Sequence, residues 1–216
     1  IRAFERWKGP KKLTIGPGIY LDRPFYQYAY ESLRWFDYWL KGIKNGITDE
    51  PPIHFYVMGT LKKEAWRTSV QWPLANQKNV RFYFSEGKTG SVASINDGFL
   101  RPEPPSIKEA TDAYTVDYST TSGKYSRWYA VNWPRNYPNM QSNDQKALTY
   151  TTARLESDME VTGFPVVHLW VVTDSPDLDF FVYLEEADGN RSTYLTEGSL
   201  RASHRALSKA PFNNLG

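Results

Sequence analysis

Few residues in this sequence could carry chemistry, and they are scattered. The three histidines, His54, His168 and His204, lie far apart and never at i, i+3 or i, i+4 spacing, so no local metal pair forms. Cysteine is absent, which excludes disulfides, thiolate nucleophiles and Cys-ligated zinc. No Gly-x-Ser-x-Gly nucleophile elbow and no Gly-rich phosphate loop occurs. Ser85-Glu86-Gly87-Lys88 has the letters of a Ser-x-x-Lys motif, but that chemistry needs the serine at a helix start. Here it follows a strand pattern and reads as a turn. Asp174, Asp177, Asp179, Glu185, Glu186 and Asp188 gather carboxylates without EF-hand spacing, and the expectation is a solvated hairpin rather than a metal site. Asn190-Arg191-Ser192 is a glycosylation tripeptide, with nothing else to indicate secretion. His168 sits inside an apolar run and is expected to be a hydrogen-bonded core histidine. His204, between Arg201 and Arg205, is expected to cap a strand or meet a partner. What remains is aromatic. Trp66, Trp72 (with Pro73), Trp128 and Trp133 fall in loop segments and are the candidate binding residues, because flat rings pack on a neighbouring domain or line a pocket.

The elements that must position these residues change character along the chain. Lys11-Lys12-Leu13-Thr14-Ile15-Gly16-Pro17-Gly18 reads as a short strand running into a Gly/Pro turn. From Phe25 to Lys41 the spacing of Ala29, Leu33, Phe36, Leu40 and Ile43 predicts a helix, supported by the i, i+4 pair Asp37–Lys41 and stopped by Gly42. Tyr28, Trp35 and Trp39 widen its apolar surface, so the helix is expected to sit between two packed bodies. After Pro51-Pro52 the periodicity is that of strands: 53–59, 80–84, 114–118 and 147–151. The apolar run 165–173 predicts a strand buried on both faces. A hairpin is predicted from 180–185 and 193–197 around Asp188-Gly189-Asn190, and a further short strand near 199–202. Long connections rich in Pro, Ser, Asn and Gly separate the strands, which suggests a two-sheet Greek-key or jelly-roll sandwich.

Composition bounds the function. The chain has 216 residues, enough for a substantial core. Lys and Arg number 26 against 24 Asp and Glu, a net charge of +2 without blocks of like charge, so no basic groove for nucleic acid is expected. No apolar run of about 18 residues and no amino-terminal signal pattern is present, so no membrane partner is expected. The compartment stays open, with the cytoplasm the first expectation. Aromatics make up 16% of the sequence, which leans toward β structure and leaves a carbohydrate-binding module as the alternative reading.

Several segments together resemble a known family. Leu33-Arg34-Trp35-Phe36-Asp37-Tyr38-Trp39-Leu40-Lys41-Gly42-Ile43, then Asp49-Glu50-Pro51-Pro52, Phe55-Tyr56-Val57-Met58-Gly59, Trp66, Trp72-Pro73-Leu74 and Gly198-Ser199-Leu200-Arg201-Ala202-Ser203-His204-Arg205 are similar to the C-terminal region of CocE/NonD serine hydrolases, relatives of cocaine esterase and the X-Pro dipeptidyl-peptidases. The resemblance implies a mainly β fold: a jelly-roll (galactose-binding-like) β-sandwich over 51–216, truncated at its C-terminus. It would be preceded over 1–50 by the last strand and helix of an α/β-hydrolase domain. It implies an N-terminal catalytic partner domain, hydrolysis of ester or X-Pro amide bonds by the whole protein, no cofactor and no metal, while a homo-oligomer stays open. This piece would supply packing and one pocket wall, and alone it is not expected to turn over substrate. The resemblance also places Tyr20 where the family carries its triad histidine. Tyrosine ordinarily titrates near pH 10 and is poorly suited to be a general base at neutral pH, so no catalytic residue is assigned.

Overall fold

A computed structural model describes residues 1–16, 25–107, 109–121 and 138–207. The described chain is mainly β, with open sheets and few helices. A short helix, α1 (Arg2–Arg6), precedes β1 (Leu13–Ile15). The long helix α2 (Phe25–Lys41) then carries the chain to β2 (Ile53–Tyr56). β1 and β2 run parallel, with Leu13 opposite Ile53 and Ile15 opposite Phe55. A parallel pair needs a crossover of a dozen or more residues, which this helix-containing connection supplies. A single helical turn, α3 (Lys62–Ala65), feeds β3 (Trp66–Ser69), which returns antiparallel to β2. The order is β1-β2-β3, so β2 is central, and its alternate residues Ile53 and Phe55 are buried with Ala65 and Ile47.

The second sheet is β4 (Tyr83–Ser85), β5 (Gly98–Arg101) and β6 (Tyr150–Thr151), in the order β4-β5-β6. Phe84 and Tyr150 lean together over it, with ring centroids 4.2 Å apart. The loop entering β5 is shaped by Asp97, whose φ of 48° is unusual for a non-glycine residue. Its carboxylate accepts from Thr89 Oγ1 at 2.5 Å, Gly90 N at 2.6 Å and Val92 N at 3.4 Å. Partial burial works against the charge, but these donors prevail and hold the carboxyl below its usual range. The third sheet is a long hairpin of β7 (Asp179–Ala187) and β8 (Ser192–Arg201). Its turn is Asp188-Gly189-Asn190 with Gly189 at φ 87°, as the Asp-Gly sequence predicts. The short helix α4 (Gln141–Asp144) packs on this hairpin through Met140, whose N–H donates to the Ser192 carbonyl at 2.7 Å.

Several expectations hold and several are corrected. The Ser85–Lys88 segment is the turn that ends β4, with Gly87 at φ 106°. The strand expected near 199–202 is the continuation of β8, which then closes in a 3₁₀ turn, Ala202–His204. Residues 114–118 form no strand. The apolar run 165–173 is neither a strand nor buried, and His168 within it is exposed rather than a core histidine. A strand buried on both faces requires two covering layers, and among the described residues no strand pairs with this run.

Candidate functional site

α2 is the element with two different faces, and its inner face is fixed by charge. Lys12, just before β1, pairs with Glu31 at 3.2 Å and with Glu50. Arg34 pairs with Glu31 at 2.8 Å and with Glu50. The four side chains are mostly shielded from water and join three segments: the approach to β1, the middle of α2, and the stretch before β2. The Asn45 side chain adds a donor to the Arg34 carbonyl at 2.7 Å, and its own oxygen accepts from Ile47 N at 3.2 Å. The Arg34 hydrogen bond, aided by Lys12 and against the cost of partial burial, holds the Glu50 carboxyl down at about 2. Arg34 is correspondingly raised, first by Glu50 and then, after the opposing burial, by Glu31. Behind this network Gly16 lies against Tyr28, so close that a Cβ at Gly16 would collide with the tyrosine hydroxyl. Gly42, at φ 70°, ends the helix as expected, and Lys41 meets Asp37 at 2.7 Å.

The outer face of α2 is apolar and open. Leu33, Phe36, Leu40 and Ile43 are 54, 55, 78 and 48% exposed, and Tyr30 and Trp39 join them at the surface. The spacing that predicts the helix is therefore real, but within the described chain its stripe points outward. Large contiguous apolar patches on a soluble surface mark sites that another body covers.

The candidate tryptophans go to different places. Trp66, expected in a loop, instead begins strand β3 because it pairs with Tyr56 of β2, and the two rings stand edge-on at 5.3 Å and 79°. Trp72, joined to Pro73 by a cis peptide bond, packs edge-on against Phe55 at 5.8 Å and 83°. Both are half-buried against β2 rather than held as a coplanar exposed pair. Trp128, Trp133 and Tyr20 lie outside the described residues. His54 sits on β2 with Nε2 3.1 Å from the Pro51 carbonyl, and His204 occupies the turn that closes β8. Most hairpin carboxylates do local work. Asp177 accepts from Ser203 N at 2.9 Å and Oγ at 2.7 Å, and Asp179 accepts from Nε and Nη2 of Arg201, each at 2.8 Å. Asp188 receives Asn190 N and Arg191 N, each at 2.8 Å. Glu185 differs and is half-buried. Sequence reasoning missed the Lys12–Glu31–Arg34–Glu50 network, although Arg34 and Glu50 lie in two of the segments that carry the family resemblance.

A β-sheet body with a helix that turns an apolar face outward fits a domain that packs against another body. The comparisons with known proteins agree. Residues 45–213 match the family described as the X-Pro dipeptidyl-peptidase C-terminal non-catalytic domain, and the chain belongs to that family. It is 37% identical over 209 residues to a protein of Mycobacterium bovis that carries the name of a serine esterase, covering 95% of this chain and 31% of that protein. It is 26% identical to the cocaine esterase of a Rhodococcus species, covering 87% and 33% of the two chains. A protein of Bacillus cereus that carries the name of an Xaa-Pro dipeptidyl-peptidase is 23% identical over 88% and 29%. The chain thus spans about a third of the length of these relatives, and the CocE/NonD resemblance of the sequence is confirmed.

Proposed function

We propose that this chain is the C-terminal domain of a serine hydrolase that cleaves ester or X-Pro amide bonds by acyl transfer through a seryl ester to water. In this reading residues 1–50 are the last strand and helix of the preceding α/β-hydrolase domain, and 51–216 form the jelly-roll sandwich. The outer face of α2 packs against the catalytic domain, and Trp66 and Trp72 contribute to the wall of the substrate pocket, for which Trp128 and Trp133 are the further sequence candidates. No catalytic residue is assigned here, and Tyr20 stands where the triad histidine of the family would be. The observation that carries the reading is the open row of Leu33, Phe36, Leu40 and Ile43 on a helix whose inner face is already locked by ion pairs. The shared length with the longer relatives supports it, because about two thirds of each relative lies outside the match. The edge-on packing of Trp66 and Trp72 favours a structural or wall role over a sugar platform.

The test uses the full-length protein. Replacing Phe36 and Leu40 together by Asp should lower ester hydrolysis at least about tenfold and uncouple thermal unfolding into two transitions, because an interface of this kind tolerates no buried charge. Unchanged turnover with a single transition would overturn the docking. Trp66→Ala should raise KM more than it lowers kcat if the ring walls the pocket.

A further inference from the structure

A cavity of about 380 Å³ opens between three segments remote in sequence. One wall is the loop from Gly90 to Ala93, which Asp97 holds through Gly90 N and Val92 N. The second is α4 with the Gln145 that follows it. The third is the hairpin turn, which Asp188 holds through Asn190 N and Arg191 N. The last two walls are joined where Met140 N donates to the Ser192 carbonyl at 2.7 Å. Gly90 and Gly189 line the space at φ 70° and 87°, and a Cβ at either would meet nothing within 4 Å.

The lining is polar. It holds one carboxylate, Asp144, and one guanidinium, Arg191, so the two charges cancel and no net field selects an ion. Among the described lining residues none is aromatic, and the apolar side chains are the small ones of Val92 and Ala93. An apolar ligand would find little surface to cover. Asp144 is 4% exposed, and its Oδ2 is buried without a partner of full hydrogen-bond geometry. A buried acceptor is costly until a donor reaches it, so a donor is what this wall lacks. The other groups offer donors in turn. Asn139 Nδ2 donates to Gln141 Oε1 at 2.8 Å, which leaves the Gln141 NH₂ as the donating end. Arg191 spends its Nε on Thr193 at 3.2 Å, so the Nε–Nη fork that best grips a carboxylate is broken. A hydroxyl both donates and accepts, so a molecule with several of them answers the buried acceptor and its neighbouring donors at once.

We infer that this cavity binds a small neutral polyol of about the size of one hexose, with Asp144 as acceptor and Gln141, Gln145 and Arg191 as donors. None of these residues lies on α2 or beside β2, so the site is separate from the surfaces of the hydrolase reading. With hydrogen bonds alone and no ring to stack on, affinity on the order of 1 mM is expected.

The probes are D-glucose, D-galactose and D-mannose, each at about 10 mM, read by saturation-transfer NMR on the full-length protein. At least one hexose should take up saturation from wild type. Ser91→Trp, at an exposed lining position, fills the cavity without touching a buried group and should remove the signal. Asp144→Asn should weaken binding about tenfold, because a charged acceptor becomes a neutral one. Lys63→Ala, exposed on α3, should leave the signal intact. If Asp144→Asn fails to fold, Ser91→Trp decides. The methyl glycoside of the bound hexose separates the sources: binding as strong as that of the free hexose assigns the end of a glycan chain, weaker binding assigns a free sugar, and either supports the site. No transfer to any of the three hexoses, a signal that survives Ser91→Trp, or binding of the zwitterion glycine in place of the hexoses would overturn it.

Discussion

Glu50 concentrates the residue-scale physics of the described chain. Two cations from different segments, Lys12 and Arg34, converge on one carboxylate that is itself partly withdrawn from water. Its carboxyl is depressed to about 2, so its contribution to stability is fully present above the ordinary carboxylate range and is lost as the pH falls from about 5 toward 2. Chemical denaturation from pH 7 to pH 2 should therefore show wild type more stable than Glu50→Gln at neutral pH, with the gap closing in acid. A pH-independent gap would contradict the assignment. Arg34→Ala should cost about 2 kcal/mol at neutral pH, because it leaves two partly buried carboxylates with Lys12 alone as their cation. Gly16 has a different role. Gly16→Ala should destabilise by about 1–3 kcal/mol through collision with the Tyr28 hydroxyl, and Tyr28→Phe in the same chain should restore part of the loss. Additive effects in that pair, measured by urea unfolding, would count against the contact.

At the scale of elements, what could be read in advance depended on how local its cause was. α2 was legible because its apolar spacing, the Asp37–Lys41 pair and the Gly42 stop all lie within one segment. The β7–β8 hairpin was legible for the same reason, since Asp188-Gly189 dictates the turn and the flanking strands alternate. The direction in which α2 turns its stripe was not. That depends on the ion pairs of Lys12 with Glu31 and Glu50 and of Arg34 with Glu50, whose separations exceed any local pattern. The run 165–173 failed for the opposite reason: its apolar composition announces burial, but burial needs layers that the run cannot supply. Glu185 was read with its solvated neighbours, and only the approach of α4, about forty residues earlier in the chain, sets it apart. α4 itself carries no periodic signal, being one turn long. Among the described site residues, Trp66 was read as a loop residue and stands instead on β3, a strand of four residues with no clear alternation, and the edge-on contacts of Trp66 and Trp72 required the fold.

At the scale of the whole molecule, the chain pairs a firmly tied inner surface with an open outer one. β1 and β2 share a sheet, and the ion network spans residues 12 to 50, so the strand and helix ahead of the family match are bound to the body that follows. The most direct test of the central claim, that the preceding catalytic domain covers α2, is hydroxyl-radical footprinting of the full-length protein. Leu33, Phe36, Trp39 and Leu40 are read against Val172 and Leu207, which are fully exposed in this chain. The account predicts that the α2 residues are oxidised several-fold more slowly than their exposure here would allow, while Leu207 reacts freely. Oxidation of Leu40 and Phe36 as fast as that of Leu207 would contradict it.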